Sequence, residues 1–406
     1  MSNTMQPTIE QADMHSYLNT DLMFLNMGPS HPASHGTLRT MVALDGENIV
    51  AGVSEIGYLH RGFEKSVELG TWNQGIPYTD RLNYCSAIMN NVGLAKAIES
   101  LMGIEITERC KYMRVILSEL SRIIDHLVCN AANFVDMGAL TNYWYLYNQR
   151  EFVYDFLAKL TGARLTNSFA RVGGMYHDFY DGWEEELDDV VKKCEAGIMD
   201  SLGLVKKNRI VHDRSMGVCE VSAEDALSYG FTGPCLRASG VAYDMRKDAP
   251  YYGYENFDFD IPVGTRGDIY DRIMVRFEEC FESMKIIRQA VKQIPGGPVN
   301  VSDSNVFLPP KGEVYDNIEA LMNHFKLIFE GIKSPVGEIY DATEAANGEL
   351  GFYIVSDGSG GPYKVKVRPP CFYMMQAYPH VIEGGMVADA VINLGSFNII
   401  AGELDR

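Results

Sequence analysis

Two histidines, His31 and His35, lie four residues apart in the segment Gly28-Pro-Ser-His-Pro-Ala-Ser-His-Gly36. Imidazole gains and loses a proton near neutral pH, so the pair indicates a candidate proton-transfer site on a short turn. Apolar residues alternate over 22–26 and again over 38–44, which predicts two flanking strands of a hairpin with one buried face. Two solvated turn histidines without a role would leave the same pattern, and this segment alone does not decide.

Four further titratable side chains lie near predicted turns: His60, Tyr84, Asp136 and His177. Each has an ordinary structural alternative. Tyr84 stands near the start of a predicted helix, where a tyrosine usually belongs to the core with its hydroxyl satisfied. Asp136 follows the second predicted helix, where an acid is commonly a turn or cap residue, and His60 could lie in a solvated loop.

Several familiar chemistries lack their motifs in this chain. It has no G-x-S-x-G elbow, no H-E-x-x-H pair and no G-x-x-x-x-G-K-[ST] loop, which argues against serine, zinc and nucleotide hydrolysis. The glycine-rich stretch 357–362 could resemble a phosphate-binding loop, but a strand rather than a helix follows it, so we predict a hairpin turn. The eight cysteines are scattered without a C-x-x-C pair and are predicted to be reduced core thiols.

Composition limits the partners. The 406 residues are 46% hydrophobic and 22% charged, as in ordinary globular proteins, and no apolar stretch is long enough to cross a membrane. The formal net charge of −19 argues against nucleic acid and against unaided binding to anionic lipid. Residues 1–20 show neither a secretory signal nor a transit peptide, which predicts a loose N-terminal arm and a cytosolic protein.

The apolar periodicity predicts an α+β fold, with a central helical bundle and antiparallel β-sheet at the N- and C-terminal ends. Helices are predicted over 81–101, 108–130, 142–160, from about 182, over 268–293 and over 313–329, with Thr79 and Asp80 as candidate caps of the first. Strands are predicted over 351–356 and 363–368, and loops with short strands over 215–265. The predicted units are an arm (1–20) and one domain (21–406), which divides into an N-terminal β-sheet (21–55), a helical core with inserted loops (80–335) and a C-terminal β and loop region (340–406).

A series of segments, taken in order, resembles the family of the D subunit of NADH:quinone oxidoreductase, respiratory complex I. The likeness extends from about residue 19 to residue 406 and leaves only the arm unmatched. Its motifs are GPSHPASHGTLR, GYLHRGFEK, DRLNY, SRIIDHL, GALT, RVGG, VGTRGDIYDR, IVSDGSGGPYK and the terminal GELDR.

That family is similar to the large subunit of nickel–iron hydrogenases, in which two C-x-x-C pairs hold the metal. The resemblance therefore implies a hydrogenase-large-subunit-like fold. Both pairs are missing here: 67–75 contains no cysteine, and Ala401-Gly-Glu-Leu-Asp-Arg406 stands where the second pair would lie. Without thiolates the expected pocket binds no metal.

By resemblance, the emptied pocket accepts a quinone headgroup beside the neighbouring chain that carries the terminal iron–sulfur cluster. Tyr84 matches the tyrosine at one quinone carbonyl, His35 matches the histidine at the other, and Asp136 matches the carboxylate that orients this imidazole. Reduction to quinol adds a proton at each end of the ring, so a donor at each carbonyl suits the chemistry. Proton loss from His35 would leave Asp136 unbalanced, and we hypothesise that this charge change drives loop movement and proton pumping.

The resemblance also implies partners within complex I. These are the B subunit with the terminal cluster, the C and I subunits, and the membrane-embedded H subunit, while NADH and the iron–sulfur clusters belong to partner chains. The quinone is ubiquinone or menaquinone. The lack of a transit segment favours a bacterial chain, held peripherally on the cytoplasmic side of the inner membrane through its partners.

Three positions depart from the family pattern: Val172 and Ala346 replace prolines, and Asn398 replaces an aspartate. Because of these replacements, the sequence does not decide how stiff the local loops are or whether an acid at position 398 has a role. Two alternatives to a quinone-site role also stay open. One is a structural scaffold in which His35 and Tyr84 have no chemical role, and the other is a hydrogenase-like large subunit of a related membrane-bound oxidoreductase.

Overall fold

The computed structural model describes residues 22–406, and the predicted N-terminal arm lies outside the described residues. The described chain begins with an antiparallel three-stranded sheet in the order β1-β2-β3. Its strands are β1 (Met23–Met27), β2 (Arg39–Asp45) and β3 (Asn48–Glu55). Strands β1 and β2 pair across the histidine turn, with Met27 opposite Thr40. The predicted hairpin is therefore confirmed.

Helices make up the centre of the molecule. In chain order they are α1 (Phe63–Glu68), α2 (Ile76–Thr79), α3 (Ala87–Met102), α4 (Glu108–Asp136), α5 (Leu140–Thr161), α6 (Trp183–Val205), α7 (Arg209–Ser215), α8 (Ala223–Ser228), α9 (Gly233–Ala238), α10 (Met245–Asp248), α11 (Ile269–Gln293), α12 (Lys311–Asp316), α13 (Ile318–Phe329), α14 (Pro370–Ile382), α15 (Val387–Phe397) and α16 (Ala401–Asp405). Short 3-10 turns occur at Pro32–Ser34, Trp72–Gly75, Tyr84–Ser86 and Tyr254–Asn256. A two-stranded antiparallel ribbon, β4 (Ala170–Arg171) and β5 (Gly174–Met175), lies between α5 and α6.

Helix α4 is the axis of the bundle. It spans 29 residues, most of them buried, and packs against α3, α5, α11 and α15. Its apolar face contributes Met113, Ile116, Leu120 and Ile124 to the main core. Because α4 reaches from the bundle centre to the histidine turn, it can carry functional side chains at both places.

Charged groups are also buried in the bundle, where they neutralise one another. Arg237 lies 2.7 Å from Glu279 and 2.8 Å from Glu344, and Arg246 bridges Asp244 and Glu119. These residues come from α4, α9, α10, α11 and the C-terminal sheet. Since a buried charge is costly unless it is paired, the network fixes how these elements meet.

The C-terminal sheet is antiparallel, in the order β6 (Gly337–Ala345), β7 (Gly348–Ser356) and β8 (Lys364–Arg368). The glycine-rich stretch 357–362 joins β7 to β8 and opens no helix, as predicted. A second core lies between the N-terminal sheet and α14 and α15, where Val42 and Ile49 cluster with Tyr378 and Leu394. Mixed helical and antiparallel sheet structure confirms the α+β prediction.

Two predicted helix boundaries are wrong. The helix predicted over 81–101 begins only at Ala87, because 84–86 form a 3-10 turn and Thr79 ends α2, so neither Thr79 nor Asp80 caps α3. The second helix continues six residues beyond 130, so Asp136 is its last residue and does not follow it. Polar residues in this extension are buried, including Asn133, and therefore do not mark a helix end.

Three further predictions need correction. The region 215–265 holds the short helices α8, α9 and α10 and no strand of its own. The helix predicted over 313–329 is two helices, which meet at Asn317, where this side chain caps α13. The predicted β and loop character of 340–406 ends at Arg368, after which α14, α15 and α16 follow. Short helices lack the several apolar repeats that would reveal them in a sequence.

Within 22–406, no helix combines the length and the apolar character needed to cross a bilayer.

Candidate functional site

His35 and Asp136 lie in contact at the C-terminal end of α4. The distance from His35 Nε2 to Asp136 Oδ2 is 2.8 Å, and the two side chains are 20% and 14% exposed. Neither atom has a partner with hydrogen-bond geometry, so the contact is not an aligned hydrogen bond, and it is an ion pair when His35 is protonated. A half-buried imidazole beside a carboxylate can hold or release a proton toward a neighbouring ligand.

The turn before β2 holds His35 in place. Residues Pro32–Ser34 form a 3-10 turn, His31 Nδ1 accepts the Ala33 N–H at 3.1 Å, and Ser34 Oγ lies 2.7 Å from the His31 carbonyl. His35 itself has a φ of +50°, in the left-handed region that few non-glycine residues adopt. A strained residue held by its surroundings is typical of a functional position.

Close approach of α15 completes the His35 site. A Cβ on Gly395 would lie 2.7 Å from Asn133 Oδ1, 3.0 Å from Asp136 Oδ2 and 3.4 Å from His35 Cε1. Only glycine, which has no side chain, lets these three groups keep their positions. Gly395 therefore allows α15 to press against the pair and shield one side of it.

Tyr84 projects from the segment between α2 and α3. The preceding residue, Asn83, is fully buried, donates from Nδ2 to Asp125 Oδ2 at 2.6 Å, and accepts at its carbonyl from Asn90 Nδ2 at 2.8 Å. These bonds fix the backbone from which Tyr84 emerges. The tyrosine itself is 41% exposed, so its ring is open to a ligand or to a partner surface.

Tyr84 keeps its phenolic proton at neutral pH. Desolvation by the surrounding protein is the main cause that raises its pKa to about 12, and the negative charge of Asp125 adds to this against the opposing charge of Arg61. The phenol is therefore a hydrogen-bond donor. It can give up its proton only to a group that has become strongly basic.

The C-terminal segment joins the two halves of the site. A Cβ on Gly36, next to His35, would lie 3.2 Å from Ala401 Cβ. A Cβ on Gly402 would lie 2.5 Å from the Arg81 carbonyl and 3.3 Å from Tyr84 Cδ1. Two consecutive residues of α16 thus contact the His35 turn on one side and the Tyr84 segment on the other.

Arg61 holds α16 next to the Tyr84 segment through two hydrogen bonds. Its Nη2 donates to the Arg81 carbonyl and to the Gly402 carbonyl, both at 2.9 Å. Nearby, the Asp405 carboxylate accepts the N–H groups of Gly57 and Leu59, each at 2.8 Å. The segment 57–61 therefore holds α16 against residues 81–84.

Helix α4 sets the separation of the two halves. Asp125, which holds Asn83, and Asp136, which contacts His35, are eleven residues apart on α4. Eleven residues make about three turns, so both acids lie on nearly the same face, roughly 16 Å apart along the axis. The Tyr84 segment is held near the first of these acids and His35 lies at the second.

The other candidate histidines serve local structure. His31 caps the 3-10 turn, and His60 Nδ1 lies 2.8 Å from the Asp405 carbonyl. His177 packs edge-on against Phe169 and Tyr176, and no contact joins it to His35 or Tyr84 in the described part of the chain.

Sequence reasoning missed several residues of this region: Arg61, Asp125, Gly395 and Glu403. Arg61, Asp125 and Glu403 lie in motifs of the family resemblance, GYLHRGFEK, SRIIDHL and GELDR, whereas Gly395 lies in none of them. One departure from the family pattern has a visible consequence, since the Val172 N–H donates to Asn73 Oδ1 at 3.3 Å, which a proline could not do.

The cysteines near the site are single free thiols: Cys85 follows Tyr84, and Cys129 Sγ lies 3.6 Å from the Gly395 carbonyl. The eight cysteines are free, and six of them are buried. Within the described residues, no group of three or more histidine, cysteine, aspartate and glutamate side chains is placed to hold a metal ion.

Comparison with known proteins places the chain in one group. Residues 136–406 match the family described as the 49 kDa subunit of respiratory-chain NADH dehydrogenase. The chain is 52% identical to the D subunit of the NADH-quinone oxidoreductase of Myxococcus xanthus, and the alignment covers 100% of both chains. It is also 52% identical to the D 1 subunit of the Sorangium cellulosum enzyme, with 96% of each chain covered. The C/D subunit of the NADH-quinone oxidoreductase of Bdellovibrio bacteriovorus is 56% identical over 96% of this chain and 70% of that protein.

Proposed function

The chain belongs to the family of the 49 kDa subunit of respiratory-chain NADH dehydrogenase, and from this premise we propose that it forms the quinone-reducing site of its complex. The observation that carries the proposal is the pairing of His35 with Asp136 and the contact of α16 with both the His35 turn and the Tyr84 segment. The relatives named as NADH-quinone oxidoreductase subunits support quinone as the substrate.

Tyr84 and His35 act as the two proton donors in this proposal. An iron–sulfur cluster on a neighbouring chain supplies two electrons, the Tyr84 phenol gives a proton to one quinone oxygen and the His35 imidazolium gives a proton to the other, so the product is a neutral quinol. The high pKa of Tyr84 keeps its proton in place until the reduced quinone oxygen is basic enough to take it. Reprotonation of both residues from solvent or from neighbouring groups completes the cycle.

The coupling step follows from the ion pair. When His35 loses its proton, the half-buried Asp136 carboxylate loses the positive partner 2.8 Å away. This change favours a rearranged turn at 28–37, which partner chains convert into proton pumping. In an Asp136→Asn variant, we expect slower quinone reduction and fewer protons pumped per NADH, and full rate with full coupling would contradict this step.

The partners proposed for the chain are the cluster-bearing B subunit, the C and I subunits and the membrane-embedded H subunit. Ubiquinone or menaquinone is the substrate, and NADH and the iron–sulfur clusters bind to partner chains. The proposed place of the chain is peripheral, on the cytoplasmic side of a bacterial inner membrane. One relative supports the pairing with the C subunit, because its name joins C and D and this chain covers only 70% of its length.

The substitution Tyr84→Phe tests the proposed function in the assembled complex. It removes the phenolic proton and keeps the ring, so quinone reduction should fall by about 100-fold or more, the range typical of a lost general acid. Oxidation of NADH with an artificial acceptor that bypasses the quinone should stay at the wild-type rate. Tyr315→Phe is the matched control, because Tyr315 is 77% exposed on α12.

A scaffold role predicts a different outcome from the same experiment. If Tyr84→Phe and Tyr315→Phe reduce quinone equally well in a fully assembled complex, the phenol takes no part in the chemistry. The quinone-site assignment for this chain would then be wrong.

A further inference from the structure

A closed cluster of polar side chains lies behind Tyr84. Its members come from five separate parts of the chain and are at most 7% exposed. They are Asn83, Asp125, Asn347, Cys371, Asn398 and Glu403. The cluster contains two carboxyl groups, on α4 and on α16.

The cluster is joined by continuous contacts. Asn398 donates from Nδ2 to Asp125 Oδ1 at 2.5 Å and to Asn347 Oδ1 at 2.6 Å. The Asn398 carbonyl accepts from Asn347 Nδ2 at 3.2 Å and lies 3.5 Å from Cys371 Sγ. The Cys371 N–H donates to Glu403 Oε1 at 3.0 Å. A change at one carboxyl can therefore reach the other.

No positive side chain compensates the two acids. Within 22–406, neither Asp125 nor Glu403 forms an ion pair with lysine, arginine or histidine. Arg61 is committed to the Arg81 and Gly402 carbonyls, and His126, the residue after Asp125, lies 2.8 Å from the Glu279 carboxylate. His60 contacts the Asp405 carbonyl, and Arg406 approaches Glu64. Cys371, Tyr84 and Cys85 face the cluster as neutral groups.

The two acids have different surroundings. Asp125 accepts from two amide groups, one on each oxygen. Glu403 accepts the Cys371 N–H at Oε1 and is otherwise enclosed by the protein. Burial, together with the charge of Asp125, raises the pKa of Glu403 to about 7, despite the hydrogen bond from Cys371. Two buried like charges without a cation are unfavourable, so one proton stays in the cluster near neutral pH.

We propose that the cluster behind Tyr84 holds one proton on Glu403, and that Glu403 is a positioning residue that contributes to the pH dependence of quinone reduction. This inference rests on the proposed function of Tyr84. With Glu403 protonated, the cluster carries one negative charge. When Glu403 loses this proton, the negative charge behind the phenol doubles. The Tyr84 phenol then holds its own proton more tightly, and transfer of that proton to the reduced quinone is slower. The same contacts account for the asparagine at position 398, where the family pattern has an aspartate. Asp125 supplies the carboxylate here, and Asn398 donates a hydrogen bond to it.

The test is the pH profile of quinone reduction by the assembled complex carrying Glu403→Gln. In the wild-type complex we expect the rate to fall several-fold between about pH 6 and about pH 8, as Glu403 loses its proton. The glutamine stays neutral at every pH, so its rate should fall less steeply than the wild-type rate over this interval, with the titration of the His35 donor as the remaining contribution. Glu224→Gln, at an exposed position on α8, is the control and should keep the wild-type profile.

Asp125→Asn provides a second test that does not depend on Glu403→Gln assembling. Without the charge of Asp125, Glu403 should lose its proton more readily, so the midpoint of the fall should move to lower pH. Infrared spectra give a readout independent of turnover. The carbonyl band of a buried protonated carboxyl should be present in the wild-type complex and absent from Glu403→Gln.

The outcomes separate this inference from the proposed function. A wild-type pH profile in Glu403→Gln, or an unchanged carboxyl band, overturns the proton on Glu403 while Tyr84→Phe still reports on the quinone site. A loss of the band together with a profile less steep than that of the wild type supports the inference. If Tyr84→Phe retains quinone reduction, the proposed function itself fails whatever the infrared result.

Discussion

At the scale of single residues, the contact between His35 and Asp136 depends on a position that has no side chain. Gly395 lies in α15, where alanine is intrinsically more stable in a helix by about 1 kcal/mol. A Cβ there would lie 2.7 Å from Asn133 Oδ1 and 3.0 Å from Asp136 Oδ2, so these two flexible side-chain ends must move. The helix is expected to survive the substitution while the ion pair does not.

Gly395→Ala should therefore affect chemistry more than stability. We expect quinone reduction to fall by up to about 100-fold, the cost of misplacing a catalytic group by about 1 Å. Gly203→Ala, on α6 with open space around it, is the matched control and should be neutral. Equal rates in the two variants would mean that the His35–Asp136 geometry does not limit the reaction.

The residue scale also shows what a sequence can predict about a site. The histidine turn was evident because glycine, proline and two imidazoles occur within nine residues. The partnership of His35 with Asp136 came only from the family resemblance, since 101 residues separate them. Glu403 lies in the recognised GELDR motif and Gly395 in none, but the roles of both arise from burial and close approach between distant segments, which a sequence does not display.

At the scale of elements, α16 is short and depends on tertiary contacts for its position. The Asp405 carboxylate accepts two backbone N–H groups, from Gly57 and Leu59, and is 7% exposed. A five-residue helix has little stability of its own. These bonds therefore keep Ala401 and Gly402 between the His35 turn and the Tyr84 segment.

Asp405→Asn should loosen this attachment, because an amide can accept only one of the two N–H groups and turns its own donors toward the other. We expect a local loss of about 1–3 kcal/mol, which leaves a buried donor unsatisfied. The measurement is hydrogen exchange in the assembled complex, where the Gly57 and Leu59 amides should exchange faster. Asp357→Asn, which alters an exposed turn carboxylate bonded to the Ser359 N–H, should leave these amides unchanged. Unchanged protection in Asp405→Asn would contradict the role given to this carboxylate.

Helix bounds were predicted well where the apolar repeat is long. They were predicted poorly where contacts between distant segments determine where a helix begins or ends. Helices α5 and α11 have bounds close to the predicted ones, and Gly162, in the left-handed region, ends α5. Helix α4 was predicted too short because Asn130 and Asn133 look like a polar end but are buried. The helices within 215–265 are each about one or two turns long, so their pattern is too short to recognise.

At the scale of the whole molecule, the buried ion network makes stability depend on acid. Burial alone would raise the pKa of Glu119, but Arg122 and Arg246, with hydrogen bonds from Ser283 and Tyr254, lower it to about 2. Burial is likewise overcome at Asp244, whose pKa is about 2 beside Arg246 and Arg237. Both carboxylates thus stabilise the fold at neutral pH.

The lowered pKa values of Glu119 and Asp244 determine the direction in which stability changes with pH. The unfolded chain binds protons at ordinary carboxyl pKa values near 4, whereas the folded chain resists protonation down to about 2. Stability is therefore fully present above the unfolded pKa and is lost as pH falls toward the folded one. The unfolding temperature of the assembled complex should drop steadily between about pH 5 and about pH 2. A constant unfolding temperature across that interval would mean that the network carries no net stabilisation.

The central claim is that Tyr84 and His35 form hydrogen bonds with the two oxygens at opposite ends of one quinone ring. The most direct measurement is a structure of the assembled complex with quinone bound. The account predicts that the Tyr84 hydroxyl lies within about 3 Å of one quinone oxygen and that a His35 ring nitrogen lies within about 3 Å of the other. A quinone ring bound elsewhere, or one whose oxygens contact neither residue, would contradict it.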